Sequence, residues 1–230
     1  MGLDNLKVIS IIPARGGSKG VPRKNILPVG GIPLITHTIN HAKNSSSISD
    51  VWVTTDDPEI ADVSKSAGAK LIKRPFDLSL DEVSSEDVLI HALNTLNKDG
   101  IYPDIVVFLQ CTSPFRRDND IDEAFKEYQK ESYDSLLSVS PSHRFLWKKS
   151  MDSAISLNYD YVKRPRRQDM DEQFVENGSI YIFKPKNLMA SKNRLSGKVG
   201  IYVMDDTASI EIDTYTDLKV ADSIMMSLPK

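Results

Sequence analysis

The chain opens on a short apolar run, Lys7-Val8-Ile9-Ser10-Ile11-Ile12, closed by Pro13. Its β-branched content and proline boundary predict a first strand. A Gly- and Pro-rich stretch follows, and then Ile32, Ile35 and Ile39 recur at helical spacing, predicting a helix to about Lys43. Val51-Trp52-Val53-Thr54-Thr55 predicts a second strand, after which Asp56 or Asp57 before Pro58 caps a helix at its first turn. Leu71-Ile72 predicts a short third strand. Beyond Ser84 and Ser85, Leu89, Leu93 and Leu96 line one face of a helix that ends before Gly100. Ile105-Val106-Val107-Phe108-Leu109 is continuously apolar, the pattern of a strand covered on both faces. Strands alternating with helices in this way predict an α/β sheet with mainly parallel strands.

A helix from about Asp120 to Lys130 and a strand at Ser135-Leu136-Leu137-Ser138-Val139 continue the pattern. Residues 144–190 break it: they are charged and less periodic, with β-like pieces at 154–157 and 179–183. This segment is expected to be a small β-rich insertion that folds over the site or crosses to a second chain. The sheet is expected to resume with strands at 200–204 and 209–212, before a final helix over 215–226 buried through Leu218, Ala221 and Met225. Residues 1–230 thus read as one domain with a small appendage.

Composition changes this picture little. Hydrophobic residues make up 40% and charged residues 27%, ordinary for a globular chain of 230 residues. A formal charge of -3 gives no general basic field for nucleic acid, so an anion must be held by local cations. A single cysteine, Cys111, excludes an internal disulfide and a cysteine zinc cage, and fits a reducing, cytoplasmic setting. No apolar run reaches the ~20 residues of a membrane span. Met1–Leu6 has neither the basic and apolar regions of a signal peptide nor the Ser/Thr of a myristoylation site.

Candidate chemistry concentrates after the first strand. Pro13-Ala14-Arg15-Gly16-Gly17-Ser18-Lys19-Gly20-Val21-Pro22-Arg23-Lys24-Asn25 holds four cations and three glycines. Glycines let backbone N–H groups approach phosphate oxygens, while Arg and Lys add charge-assisted contacts. The segment matches neither the Walker loop nor the dinucleotide fingerprint. A second signal is Glu211-Ile212-Asp213: on a strand, residues two apart share a face, and paired carboxylates suit Mg²⁺. The same residues could instead form a solvated strand face, with Asp213 capping the last helix. Gln110 follows a buried strand at the carboxyl end, where open α/β sheets bind ligands. The basic run Lys163-Arg164-Pro165-Arg166-Arg167 is either a solvated loop or a carboxylate grip. His37, His41, His91 and His143 show no metal-ligand spacing and read as helix-surface or core residues.

Taken together, these residues resemble the acylneuraminate cytidylyltransferases, or CMP-sialic acid synthetases. The resemblance runs nearly end to end, through Ile12–Gly20, Lys24-Asn25, Thr54-Thr55-Asp56, Arg74-Pro75, Leu109–Pro114, Arg167-Gln168, Asn177–Tyr181 and Ile210–Thr214. It implies a three-layer, Rossmann-like fold of the nucleotide-diphospho-sugar transferase type and a homodimer whose appendage reaches into the neighbouring site. It also implies that CMP passes from CTP to the anomeric hydroxyl of a nine-carbon nonulosonic acid, with Mg²⁺ or Mn²⁺ and release of pyrophosphate.

By the same resemblance, Ala14, Arg15, Gly16, Gly17, Ser18, Lys24, Asn25, Arg74 and Ser85 hold the nucleotide. Gln110, Lys148, Arg167 and Tyr181 face the sugar, Glu211 and Asp213 hold the metal, and Arg15, Lys24 and Asp213 carry the catalysis. Two positions depart from the pattern. Glu211 stands where the sialic-acid enzymes usually carry Asp, and Arg194-Leu195 stands where they place aromatics against the acyl group. Legionaminic acid is therefore a candidate substrate beside N-acetylneuraminic acid. The competing functions are a cytidylyltransferase for an eight-carbon ulosonic acid or a sugar phosphate, and an inactive nucleotide-binding regulatory domain.

Overall fold

The computed structural model describes residues 6–227. Most of the N-terminal segment in which neither a signal peptide nor a myristoylation site is expected lies outside that range. Seven strands form one twisted sheet: β1 (Val8–Pro13), β4 (Asp50–Thr55), β5 (Lys70–Lys73), β6 (Ile105–Leu109), β7 (Ser135–Pro141), β10 (Phe174–Phe183) and β11 (Val199–Val203). Their order is β11-β7-β10-β6-β1-β4-β5. All neighbours pair in parallel except β10, which runs antiparallel to both β6 and β7.

The continuously apolar strands have the two-sided cover their pattern predicts. Val8 and Ile12 of β1, with Val107 and Leu109 of β6, pack in one cluster that also holds Ile35, Ile39, Ile60, Ala124 and Phe125. Those five come from α1 (Leu34–Asn44), α2 (Pro58–Ser66) and α4 (Asp120–Lys130). Ile9, Ile11, Val106 and Phe108 face the other way, against Leu89, Leu93 and Leu96 of α3 (Ser85–Lys98) and Leu188 of α5 (Pro185–Ser191). Three layers result, and burial of both faces supplies the driving force for the fold. The helix starts follow from local chemistry. The Asp57 carboxylate accepts from the N–H groups of Glu59 and Ile60 at the head of α2, and the Ser84 hydroxyl accepts from the Asp87 N–H at the head of α3.

The structure corrects the pattern in three places. Residues 174–183 do not belong to an insertion. They form β10, inserted between β6 and β7 in the sheet, and a strand buried on both faces has no alternation to announce it. The excursion is correspondingly narrower than 144–190: a hairpin of β8 (Trp147–Lys149) and β9 (Ala154–Ser156), followed by an irregular stretch to the 3-10 turn Arg167–Asp169. Residues 209–212 form no strand. A 3-10 turn, Asp206–Ser209, leads into an extended segment tied to the sheet by the Ile212 N–H donating to the Thr112 carbonyl.

Ile32 lies in a two-strand hairpin, β2 (Pro28–Val29) with β3 (Ile32–Pro33), and α1 begins after it at Leu34. The last helix, α6 (Tyr215–Ser227), packs Ala221 with Leu218 and Met225 against Val29, Leu34 and Ile212. Among the described residues no helix is long and apolar enough to cross a membrane.

Candidate active site

A cleft of about 540 Å³ opens beyond the carboxyl ends of β1 and β6. The loop leaving β1 at Pro13 forms one wall. Arg23 takes a left-handed backbone conformation, φ 57°, which turns the chain into the short 3-10 helix Lys24–Ile26 and buries Lys24 and Asn25. The Asn25 side-chain amide donates to the Arg15 carbonyl at 3.1 Å, and the Gly16 N–H donates to Asp56 at 3.2 Å, fixing the loop's path. Gly20 is required by close approach: a Cβ there would stand 2.1 Å from the backbone oxygen of Asp213. This contact joins the glycine-rich loop to the carboxylate segment near the C-terminus.

Lys24 completes that junction. Its ammonium donates to Asp213 Oδ1 at 3.0 Å and to the Ile212 carbonyl. Arg74, the first residue after β5, is buried in the cleft wall with Asp56 3.6 Å away. Its Nε and Nη2 have no hydrogen-bond partner, and burial pulls its pKa below the usual value, with neighbouring Arg15 also lowering it. A buried cation with free N–H groups is costly unless an acceptor reaches it. Arg15, Ser18, Lys24, Asn25, Arg74 and Ser85 all line the cleft, with Gln110 and Asp213. Ala14 lies beneath it, and Gly16 and Gly17 complete the loop.

Next to Gln110, β10 carries a bulge, although none of its residues lines the cleft. Its pairing with β7 shifts register between Glu176 and Tyr181, and Gly178 takes φ 63°. Asn177 is buried and satisfied on every side: its carbonyl accepts from the Ser113 hydroxyl, its Oδ1 from the Ser138 hydroxyl, and its amide donates to Ser140. At Gly178 a Cβ would lie 2.5 Å from Gln110 Oε1 and 2.8 Å from Glu211 Oε1, so this bulge is where Gln110 and Glu211 come together. Burial raises the Glu211 pKa above its usual 4.5, and the nearby Asp213 and Glu176 carboxylates raise it further.

Tyr181 is buried, stacks on Phe108 with ring centroids 5.2 Å apart, and donates its hydroxyl to Glu176. Phe108 itself lines the cleft. Lys148, Arg167, Tyr181 and Glu211 do not line this cleft; Lys148 and Arg167 are exposed on the excursion that carries β8 and β9.

Several contributors carry no motif. Arg116 is fully enclosed and donates to the Gln110 carbonyl at 2.9 Å, the Ser179 carbonyl at 2.7 Å and the Thr38 hydroxyl at 3.2 Å. It braces the loop after β6 against the β10 bulge, and burial pulls its pKa down to about 10. Arg194 lies over the Tyr181 ring at 4.4 Å and pairs with Glu86 at 2.5 Å. His37 and His41 take structural roles on α1: burial lowers His41 to about 3, and the His37 ring is bonded to the Val29 carbonyl, while His143 lies exposed in a loop. Burial pushes the Cys111 thiol up to about 12, which leaves it no thiolate for nucleophilic work.

A family model described as cytidylyltransferase matches residues 9–225. The chain belongs to the cytidylyltransferase family. Among curated cytidylyltransferases it is similar to N-acylneuraminate cytidylyltransferase A of Danio rerio, 38% identical over 219 residues, covering 94% of this chain and 50% of that protein. It is also similar to the N-acylneuraminate cytidylyltransferase of Escherichia coli O18:K1:H7, 35% identical over 225 residues, covering 95% of this chain and 52% of that protein. The chain thus spans about half the length of the curated relatives it matches.

Among solved structures, a CMP:2-keto-3-deoxy-manno-octonic acid synthetase complexed with CTP shares the fold, with a TM-score of 0.72 at 20% identity over 95% of this chain and 98% of that one. So does a 4-diphosphocytidyl-2C-methyl-D-erythritol synthase from Anaerococcus prevotii, with a TM-score of 0.65 at 15% identity over 97% of each chain.

Proposed function

We propose that this chain is a nucleotidyltransferase that joins CMP from CTP to the anomeric hydroxyl of a nine-carbon nonulosonic acid and releases pyrophosphate. The observation that carries this reading is the pair of buried cations, Lys24 and Arg74, in one cleft with Arg15. The names of the relatives, which are N-acylneuraminate cytidylyltransferases, support the choice of nucleotide and sugar.

In this mechanism Arg15, Lys24 and the loop N–H groups bind and orient the triphosphate. Charge accumulating on the phosphoryl oxygens is the main barrier to such a displacement, so fixed cations do most of the work. Gln110 and Phe108, the latter backed by the stacked Tyr181 ring, orient the acid sugar so that its anomeric oxygen faces the α-phosphorus. Glu211 and Asp213 offer an all-oxygen donor set; burial first, and then the Asp213 charge, disfavours ionised Glu211, and a divalent cation between them would offset both. Mg²⁺ suits two carboxylates with phosphate oxygens completing the shell. A cation bound there would neutralise phosphate charge as a Lewis acid.

The exposed Leu146, Trp147, Ile155 and Tyr161 around β8 and β9 support a homodimer in which this excursion, with Lys148 and Arg167, covers the partner's cleft. Glu211 and Arg194-Leu195, which depart from the pattern of the sialic-acid enzymes, support legionaminic acid as a candidate beside N-acetylneuraminic acid. The test is pyrophosphate release from CTP with Mg²⁺ against N-acetylneuraminic, legionaminic, pseudaminic and eight-carbon ulosonic acids. Turnover with one nine-carbon acid is the expected result. CTP binding with no release for any acid would overturn the assignment in favour of a regulatory nucleotide-binding domain.

A further inference from the structure

The strap between β5 and α3, residues 75–84, carries an acidic residue at the cationic end of the cleft. Asp81 places one carboxylate oxygen 2.8 Å from Arg15 Nη2 and the other 2.7 Å from Lys19 Nζ. The Arg15 guanidinium also donates to the Ser79 carbonyl at 3.3 Å, so the strap is held to the glycine-rich loop at two points. Asp81, Arg15 and Lys19 all line the cleft.

A carboxylate with one oxygen on an arginine fork and the other on an ammonium has the contacts a phosphate group would take from the same cations. The two anions cannot hold those cations at once. The rest of the strap has little to anchor it: Phe76 is 72% exposed and Leu80 39% exposed, although Leu78, Leu80 and Val83 line the cleft. Its attachment therefore depends heavily on the Arg15–Asp81–Lys19 cluster.

We propose that Asp81 is a displaceable counter-anion, which neutralises Arg15 and Lys19 in the free protein and yields them to the phosphates of an incoming nucleotide. This rests on the nucleotide reading of the cleft given above. Two consequences follow. Phosphate binding is weakened by the contacts it must replace, since a state that must first open is populated only in part. The exchange also frees residues 75–84, so phosphate at one end of the cleft controls the strap that walls the other.

The experiment compares the full chain with its Asp81→Asn and Asp81→Ser variants by calorimetry, using inorganic pyrophosphate, CTP and cytidine as probes, without divalent cations. Removing an internal competitor should tighten pyrophosphate and CTP by about five- to tenfold, within the usual range of coupling between two ligands for one site. Cytidine, which lacks phosphate, should be unaffected. Amide exchange across residues 75–84 should quicken when pyrophosphate is added to the unaltered chain, and should already be fast in either variant.

Equal or weaker pyrophosphate binding in both variants would overturn the proposal, because Asp81 would then be a brace for Arg15. Tighter pyrophosphate binding with no sugar-dependent release from CTP would sustain Asp81's role while removing the proposed reaction. Binding of neither pyrophosphate nor CTP by any of the three proteins would remove both.

Discussion

The ammonium of Lys24 lies 3.0 Å from Asp213 Oδ1 and also donates to the Ile212 carbonyl, joining residues 189 positions apart in the chain. Lys24 is buried and Asp213 two-thirds exposed, so the pair forms one corner of the cleft, with the cation inward and the carboxylate towards solvent. This contact ties the glycine-rich loop to the Glu211–Asp213 segment. Substituting either member should therefore affect catalysis more than folding. Lys24→Ala and Asp213→Ala are each expected to lower kcat on the order of 10²–10³-fold, the usual cost of removing a preorganised charge. Circular dichroism should show both variants folded, and near-normal turnover in either would remove that residue from the mechanism.

Glu211 gives a pH-dependent prediction whose sign is determined. Its folded pKa is raised above 4.5, first by burial and then by Asp213 and Glu176. The folded state therefore holds the proton more tightly than the unfolded one. This contribution to stability is fully present below 4.5 and is lost as pH rises through the folded value. Glu211→Gln should melt above the unaltered chain at pH 8, with the gap closing towards pH 4.5. Mg²⁺ should raise the melting temperature of the unaltered chain at pH 8 and leave that of Glu211→Gln nearly unchanged. Scanning calorimetry across this range measures both effects.

Gly178 tests whether the β10 bulge sets the site. Its φ of 63° costs a substituted residue roughly 1 kcal/mol. Gln110 and Glu211, the side chains a Cβ would meet, are flexible enough to move aside. Gly178→Ala should thus lose about 1–2 kcal/mol in denaturant unfolding, while sugar-dependent turnover falls at least tenfold and CTP binding holds. Loss of CTP affinity in the same proportion would show that the bulge supports the whole cleft and not its sugar end.

Arg116 is a positioning residue with a structural cost. Arg116→Met removes the donors for the Gln110 and Ser179 carbonyls, and a buried acceptor left unpaired costs about 1–3 kcal/mol. A loss of roughly 3 kcal/mol is expected from the shift in the urea midpoint. Arg116→Lys should recover part of it. A midpoint unchanged in Arg116→Met would mean that water replaces the guanidinium.

How far the chain could be read without its fold depended on the range of the interaction concerned. The strand at β1, the cap at Asp57 and the leucine face of α3 rest on neighbours within a few positions, and all appear as expected. The glycine-rich loop with Lys24 was legible for the same reason, since its chemistry is continuous in sequence. The insertion of β10 between β6 and β7 was not, because a strand buried on both faces looks the same whether it crosses a sheet or leaves it.

The same limit applies to Arg116, Arg194 and Asp81, which lie in no motif and acquire their roles from partners up to 108 positions away. Glu211 and Asp213 were paired on the assumption of a strand. What brings Asp213 to the cleft is a loop tied to Thr112 and pressed against Gly20. Local pattern determined most of the elements and the make-up of the glycine-rich loop. Long-range packing decided which charges meet, because electrostatic and hydrogen-bond partners are selected by distance in space and leave no periodic trace along the chain.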